Sequence, residues 1–323
     1  CLECLPPRVR PLVPSRPRAV YPSRPMAALT PIRITCLRHS AFYSPLLYTI
    51  RSGLLEAEGL TPSYVPSTPE KPVAAQLRSG EAHLSQSAVA VSFAELEEGK
   101  RPDIAHFAQI NERDGFFLAG RAASPGGFSW RALEGKEVLV DHLFQPLAML
   151  KYACHRQGVD FSSLRVVDAG QPDEMEAAFR GGRGDFVHMQ GPAPQQLEHE
   201  GAGAVAASVG EVVGPVAFSS LCATRGWLET DMARAFLRAY RQGRRETALL
   251  PASRIAEVVQ PYFPAADPAV LVATVRAYQA MGTWDGDESI PQGTYDTLLE
   301  VFAHCGLVTK SHPYDAAIVK VAE

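Results

Sequence analysis

The chain has 323 residues, 46% hydrophobic and 20% charged, with a formal net charge of −4 and a pI near 6.2. That is the composition of an ordinary globular protein long enough for about two domains. The acidic balance argues against a nucleic-acid partner, and no run approaches the roughly eighteen apolar residues that suggest a membrane span.

Six scattered cysteines give no disulfide framework, which favours a reducing compartment. Cys1 and Cys4 form one CxxC with no second pair and no nearby His, a poor zinc motif. Cys36, Cys154, Cys222 and Cys305 sit in apolar or helical contexts and read as buried thiols. Residues 1–25 hold seven prolines and five arginines without an apolar period, so they are expected to be disordered or a non-native extension ahead of a start at Met26. They contain no apolar h-region, so no secretory signal is visible.

The folded part opens with an apolar run, Ile32 to Leu37, that reads as a buried parallel strand. A polar-aromatic loop through His39, Ser40, Phe42 and Tyr43 follows. Ser44 and Pro45 then suit an N-cap and first turn, and Leu46, Leu47, Ile50 and Leu54 give the helix its apolar stripe. A strand–loop–helix unit of this kind exposes free backbone N–H groups where α/β proteins bind anions; an ordinary βα turn is the other reading. Pro62–Val65 is a second strand, Lys71–Ser79 a helix closed by Gly80, and Ala82–Ser87 a strand ending in Gln86 and Ser87. Ala88–Glu98 reads as helix, and Ile104–Ile110 and Gly115–Gly120 as strands that run between two lobes, flanking Asn111.

The pattern then restarts: strand Glu137–Val140, a loop with His142, Phe144 and Gln145, a helix from Pro146 to Gly158, strand Leu164–Val167, helix Glu174–Arg180, and strand Gly184–Met189 leading into Gln190 and Gly191. His39 maps to His142 at an offset of 103, Pro45 to Pro146 at 101, Gly59 to Gly158 at 99, and Arg78 to Arg180 at 102. Matching order and spacing point to two tandem βαβ lobes, at a period too long for a solenoid. From Phe218 onward the chain reads as helical, with helices packed on the outside of one lobe.

With both lobes laid out, HSAFYSPLLYTIRSGLLEAEGL, QLRSGEAHLSQSA, LEGKEVLVDHLFQPLAML, RVVDAGQPDEMEAAFRGGRGDFV and TYDTLLEVFAHCGLV resemble the periplasmic-binding-protein type II fold. The similarity is to the branch holding aliphatic-sulfonate, taurine and thiamine-pyrimidine binding proteins of ABC importers, and it spans residues 31–323. It implies an α/β fold of two lobes, each a mixed sheet flanked by helices, with a ligand cleft between them. The expected division is 26–118 plus 217–323 for lobe 1 and 119–216 for lobe 2. The implied function is binding of a small anionic or heteroaromatic solute and delivery to an ABC permease, as a monomer without cofactor or metal. The implied location is the periplasm, with the cytoplasm as the alternative. Where many relatives carry Trp-Glu-Pro, this chain has Gln190-Gly191-Pro192.

The residues expected in the cleft are His39, Ser40, Phe42 and Tyr43 of the first loop, Gln86, Ser87 and Asn111 at strand ends, and His142, Phe144, Gln145, Gln190 and Gly191 from the second lobe. Aromatic rings would sandwich the ligand body while amides and hydroxyls orient it. No catalytic residue is assigned. The alternative is an enzyme of the same fold, since relatives include a thiamine-pyrimidine synthase and a sulfinate desulfinase with a cysteine near the position of Cys36. Cys36 and His39 have opposite strand parity, which argues against a nucleophile–base pair.

Overall fold

The computed structural model describes residues 28–124 and 126–322. The expectations for residues 1–25 and for Met26 as the start lie outside the described residues. The chain forms two five-stranded mixed sheets. β1 (Thr30–Cys36), β2 (Leu60–Pro66), β3 (Leu84–Ser87) and β4 (Ile104–Asn111) build the first, and β5 (Phe116–Gly120) begins the second. β6 (Glu137–Leu139), β7 (Arg165–Val167), β8 (Phe186–Gln190) and β9 (Ala204–Ser208) complete the second sheet; β10 (Ser219–Thr224) returns to the first.

The two sheets share one plan. The first runs β2-β1-β3-β10-β4 and the second β7-β6-β8-β5-β9. In each, a strand is flanked by two parallel neighbours: β1 by β2 and β3, β6 by β7 and β8. In each, an antiparallel strand fills the fourth place: β10 in the first sheet, β5 in the second. The offset near 102 residues is the sequence image of this correspondence.

Two segments differ from the sequence reading. The first crossing between sheets falls between Asn111 and Phe116, so β5 lies wholly in the second sheet rather than straddling a boundary at residue 118. Ser219–Thr224 is a strand, not the start of a helical region. Its first five residues are buried, so neither the two-residue alternation of a half-buried strand nor an amphipathic helical period appears.

The C-terminal helices do not stay on one lobe. Asp231–Leu249 packs on the Ser44–Arg51 helix beside the first sheet, but Pro268–Ala280 packs on Ala193–His199 and Gln292–His304 on Phe144–Arg156, both beside the second. Tyr278 accepts from the Gly191 N–H at 2.8 Å and donates to the Gly115 carbonyl at 3.0 Å. One continuous apolar core therefore runs from Ile32 and Ile34 through Phe116 and Leu118 to Val138 and Val140. A smaller cluster of Met175, Phe179, Val187, Met189 and Leu197 seals the other face of the second sheet. Gly115 is needed at the crossing, because a Cβ there would sit 2.3 Å from the Phe42 ring.

Candidate functional site

The C-terminal ends of β1 and β6 face one another across a cleft of about 1020 Å³. Two residues past β1, Arg38 leaves the first sheet; two residues past β6, Asp141 leaves the second. They meet in a bidentate pair, with N–O distances of 2.5 and 2.9 Å. Asp141 is held for this contact by the Leu143 N–H at 2.9 Å, and the Arg38 N–H is anchored on the Gln86 side chain at 3.1 Å. The pair is largely withdrawn from water, with side chains 18% and 5% exposed.

Two more residue pairs join the lobes here. The Ser40 hydroxyl donates to the Gly191 carbonyl at 2.8 Å and also caps the turn at residues 41–43 by accepting from the Phe42 N–H. The Tyr43 hydroxyl lies 3.3 to 3.5 Å from the Gln190 amide. Burial raises the Tyr43 pKa, with the Arg38 charge opposing, so the phenol stays neutral and can donate. Ser44 is not the helix cap that its position suggests: it is already helical, and its hydroxyl bonds the Ala41 carbonyl.

His39 forms part of the cleft wall. Its Nε2 contacts the Tyr262 carbonyl at 3.0 Å, its Nδ1 the Tyr64 hydroxyl at 3.1 Å, and its ring stacks on Phe263 with centroids 4.9 Å apart. Burial lowers its pKa, so a neutral imidazole donating through Nε2 fits these partners. Tyr262 and Phe263 arrive from more than 220 residues away, a contribution no local pattern in the first lobe announces.

Of the twelve residues expected in the cleft, the structure places His39, Ser40, Gln190 and Gly191 on its wall. Tyr43 and Gln86 are buried behind it, bonded to the wall residues Gln190 and Arg38, while Ser87 and Gln145 are buried without lining it. Gln145 donates to the Phe218 carbonyl at 3.0 Å and leaves its Oε1 without a partner among the described residues. The remaining four are corrected. Phe42 is a fully buried core ring between Phe218, Tyr278 and Gly115, not one face of a sandwich. Asn111 is buried and accepts from Trp284 Nε1 at 2.9 Å. His142 turns back onto the Val140 carbonyl, and Phe144 packs edge-on against Phe302 away from the cleft.

Beyond Arg38 and Asp141, the sequence reading missed Glu176, Arg180 and Glu200 on the second-lobe wall, where Arg180 is paired with both carboxylates. It also missed the buried polar groups next to Gln190. His188 is fully buried, stacks on Phe116 at 4.5 Å, and has neither ring nitrogen partnered among the described residues. Burial, with Arg38 adding to it, lowers its pKa to about 3. Asp114 accepts from the Phe116 N–H at 2.6 Å through one oxygen only, and burial raises its pKa well above the carboxylate range. Neither His188 nor Asp114 lines the cleft, so these unpartnered atoms belong to the buried interior next to Gln190 rather than to the cleft wall.

Cys36 is not prepared as a nucleophile. It is 1% exposed, its Sγ lies 2.9 Å from the Tyr64 hydroxyl, and burial pushes its pKa up to about 11. The four described cysteines are free. Among the described residues there is no cluster of three or more potential metal ligands and no helix long and apolar enough to cross a membrane.

The fold is shared with solved structures at low sequence identity. A ligand-binding component of an ABC-type import system from Staphylococcus aureus, solved with zinc bound, aligns with a TM-score of 0.72 at 16% identity, covering 90% of this chain and 97% of that one. The alkanesulfonate-binding protein SsuA from Xanthomonas axonopodis pv. citri, bound to MOPS, gives 0.69 at 15% identity over 91% and 99%. The periplasmic nitrate-binding protein NrtA from Synechocystis PCC 6803 gives 0.63 at 12% over 90% and 84%. These likenesses establish the two-lobed periplasmic-binding-protein fold. In sequence, YtlA of Bacillus subtilis (strain 168), named as a binding protein, is 23% identical over 90% of this chain and 88% of its own length. Residues 41–253, well over half of the chain, match the NMT1/THI5 like family, and the chain belongs to that family.

Proposed function

We propose that the protein binds a small anionic or heteroaromatic solute between its two lobes and hands it to an ABC permease. The observation that carries this reading is the cleft itself: equivalent strand ends of two like-built sheets converge on it, bridged by Arg38 and Asp141. A solute touching both lobes stabilises the closed arrangement by its differential affinity, and closure is the signal a permease reads. The solute's anionic group would take the Arg38 guanidinium, the Tyr43 phenol and Ser40 hydroxyl would orient it, and Gln190 would supply the second-lobe contact. Lobe 1 then comprises residues 28–115 and 217–249 and lobe 2 residues 116–124 and 126–216, with the helices Pro268–Ala280 and Gln292–His304 lying against lobe 2, as a monomer acting in the periplasm.

The relatives support this reading through what their names say they bind: an alkanesulfonate for one, nitrate for another. The buried, unactivated Cys36 thiol favours binding over catalysis. A thermal-shift screen over sulfonates, pyrimidines and aromatic acids is the test. A hit that raises the melting temperature and also contracts the protein in solution scattering supports the proposal. Absence of any hit across these classes contradicts it.

A further inference from the structure

Away from the cleft, two packed helices, Phe144–Arg156 and Gln292–His304, bring a pair of histidines together at their C-terminal ends. His155 lies in the last turn of the first helix, His304 closes the second, and both are exposed. Their ring centroids stand 4.2 Å apart, with the planes tilted by 34°. Tyr152, one turn before His155, lies edge-on to the His304 ring at 5.5 Å and donates to Glu300 at 2.6 Å. Among the described residues no hydrogen bond or ion pair ties either imidazole, so each unprotonated ring offers a nitrogen lone pair to something else.

We propose that His155 and His304 together hold a divalent transition-metal ion of the class that favours imidazole (zinc, copper or nickel), with water completing its coordination. Metal–nitrogen bonds of about 2.0–2.1 Å place two neighbouring imidazoles on one ion at centroid separations of roughly 4.5–5.2 Å. The observed 4.2 Å falls a few tenths of an ångström short of that, and two exposed side chains can open by so much. Both rings also sit at helix C-termini, where the dipole favours a cation. Nearby positive charge is engaged: Arg156 donates to the Val213 carbonyl at 3.1 Å, and Lys151 lies over the Phe161 ring at 5.6 Å. Glu300 is held by Tyr152, and no third ligand joins the pair among the described residues, so the ion exchanges readily instead of being locked in as in a four-ligand site. Because the two imidazoles come from different helices, the ion cross-links them. It braces the C-terminal helix against the one that starts just past Asp141. The site is separate from the cleft and does not depend on which solute fills it.

The test is calorimetric titration of the full chain with nickel chloride, in a Cys1→Ser/Cys4→Ser background that removes the thiols of the CxxC. One ion per chain is expected to bind and to raise the melting temperature, because only the folded chain brings the two rings together. His155→Phe and His304→Phe each keep a ring in the contact, and each should weaken binding at least about tenfold and abolish the thermal shift. His155→Ala serves as a second variant should the phenyl ring disturb the helix pair. His199→Phe, at an exposed histidine beside Asp267, should bind nickel as the background does. Magnesium, which takes oxygen ligands, should not compete. Binding that survives the loss of either His155 or His304, or that falls equally with His199, overturns the proposal, as does the absence of binding in the background protein.

Discussion

Arg38 and Asp141 stand 103 residues apart and occupy the same place in their two sheets, two positions beyond β1 and β6, yet they carry opposite charge and join at 2.5 and 2.9 Å. The duplicated plan thus supplies a matched pair of loops, and a single charge reversal between them becomes a bond across the cleft. The bond also costs the protein something when half of it is missing. Arg38→Gln leaves Asp141 without its counter-ion at 5% exposure, and should destabilise the unliganded protein by about 3 kcal/mol, the low end for a broken buried pair because Arg38 retains 18% exposure. The double variant Arg38→Gln/Asp141→Asn should recover most of that loss. Urea unfolding of the two variants checks this; equal losses in both would mean that the pair is not coupled.

Two buried histidines add to the loss of stability in acid. Burial lowers the pKa of His106 and of His188 from 6.5 to about 3 in the fold. Between those values the unfolded chain takes up a proton at each histidine that the folded chain refuses. Their contribution is therefore full above pH 6.5 and is lost progressively as pH falls toward 3. The slope is about 1.4 kcal/mol per pH unit for each histidine, added to that of any carboxylates. Urea unfolding at pH 7.5 and 5.0 should show the loss, and His188→Phe should reduce it by about half of the histidine share. An unchanged slope in His188→Phe would contradict the assignment.

At the crossing between lobes, Gly115→Ala would put a methyl 2.3 Å from two carbons of the fully buried Phe42 ring. Overpacking of this kind should cost about 1–3 kcal/mol or more. Adding Phe42→Leu should relieve part of it, because the clash is with that ring. Thermal unfolding of the single and double variants measures both steps, and a neutral Gly115→Ala would remove Phe42 from this contact.

How much of this was legible in the sequence follows from the range of the interactions. The two loops were found because each sits between a short apolar run and a helix start, and local pattern preserves such order. Arg38 and Asp141 were passed over because a charge in a loop ordinarily faces water; their pairing exists only once both sheets are built. Phe42 and Tyr43 are adjacent aromatics and read alike, but the bare Gly115 backbone admits one ring into the core while the phenol of the other reaches Gln190. Tyr262 and Phe263 reach the cleft from the C-terminal segment, which was expected to cover one lobe only. β10 escaped notice because it is buried almost throughout and shows no alternation.

Binding and catalysis part company at Cys36. The thiol is 1% exposed with its pKa near 11, so Cys36→Ser should change solute affinity by less than about twofold, within the ±0.5 kcal/mol of a peripheral substitution. Alkylation of the native protein at pH 7.5 should be slow beside that of the unfolded chain. A turnover that Cys36→Ser abolishes without unfolding the protein would overturn the binding account.

The central claim is that one solute is held by both lobes at once, and paired affinity measurements test it most directly. The solute found by thermal shift is titrated into the wild type, Arg38→Gln, Gln190→Ala and, as a surface control, Arg254→Ala on the Ala252–Val259 helix. A hydrogen bond to a charged group is worth about 1.5–3 kcal/mol, so losing the contact from either lobe should weaken binding roughly ten- to a hundredfold, with the control unchanged. Wild-type affinity in both Arg38→Gln and Gln190→Ala would place the solute elsewhere and contradict the account.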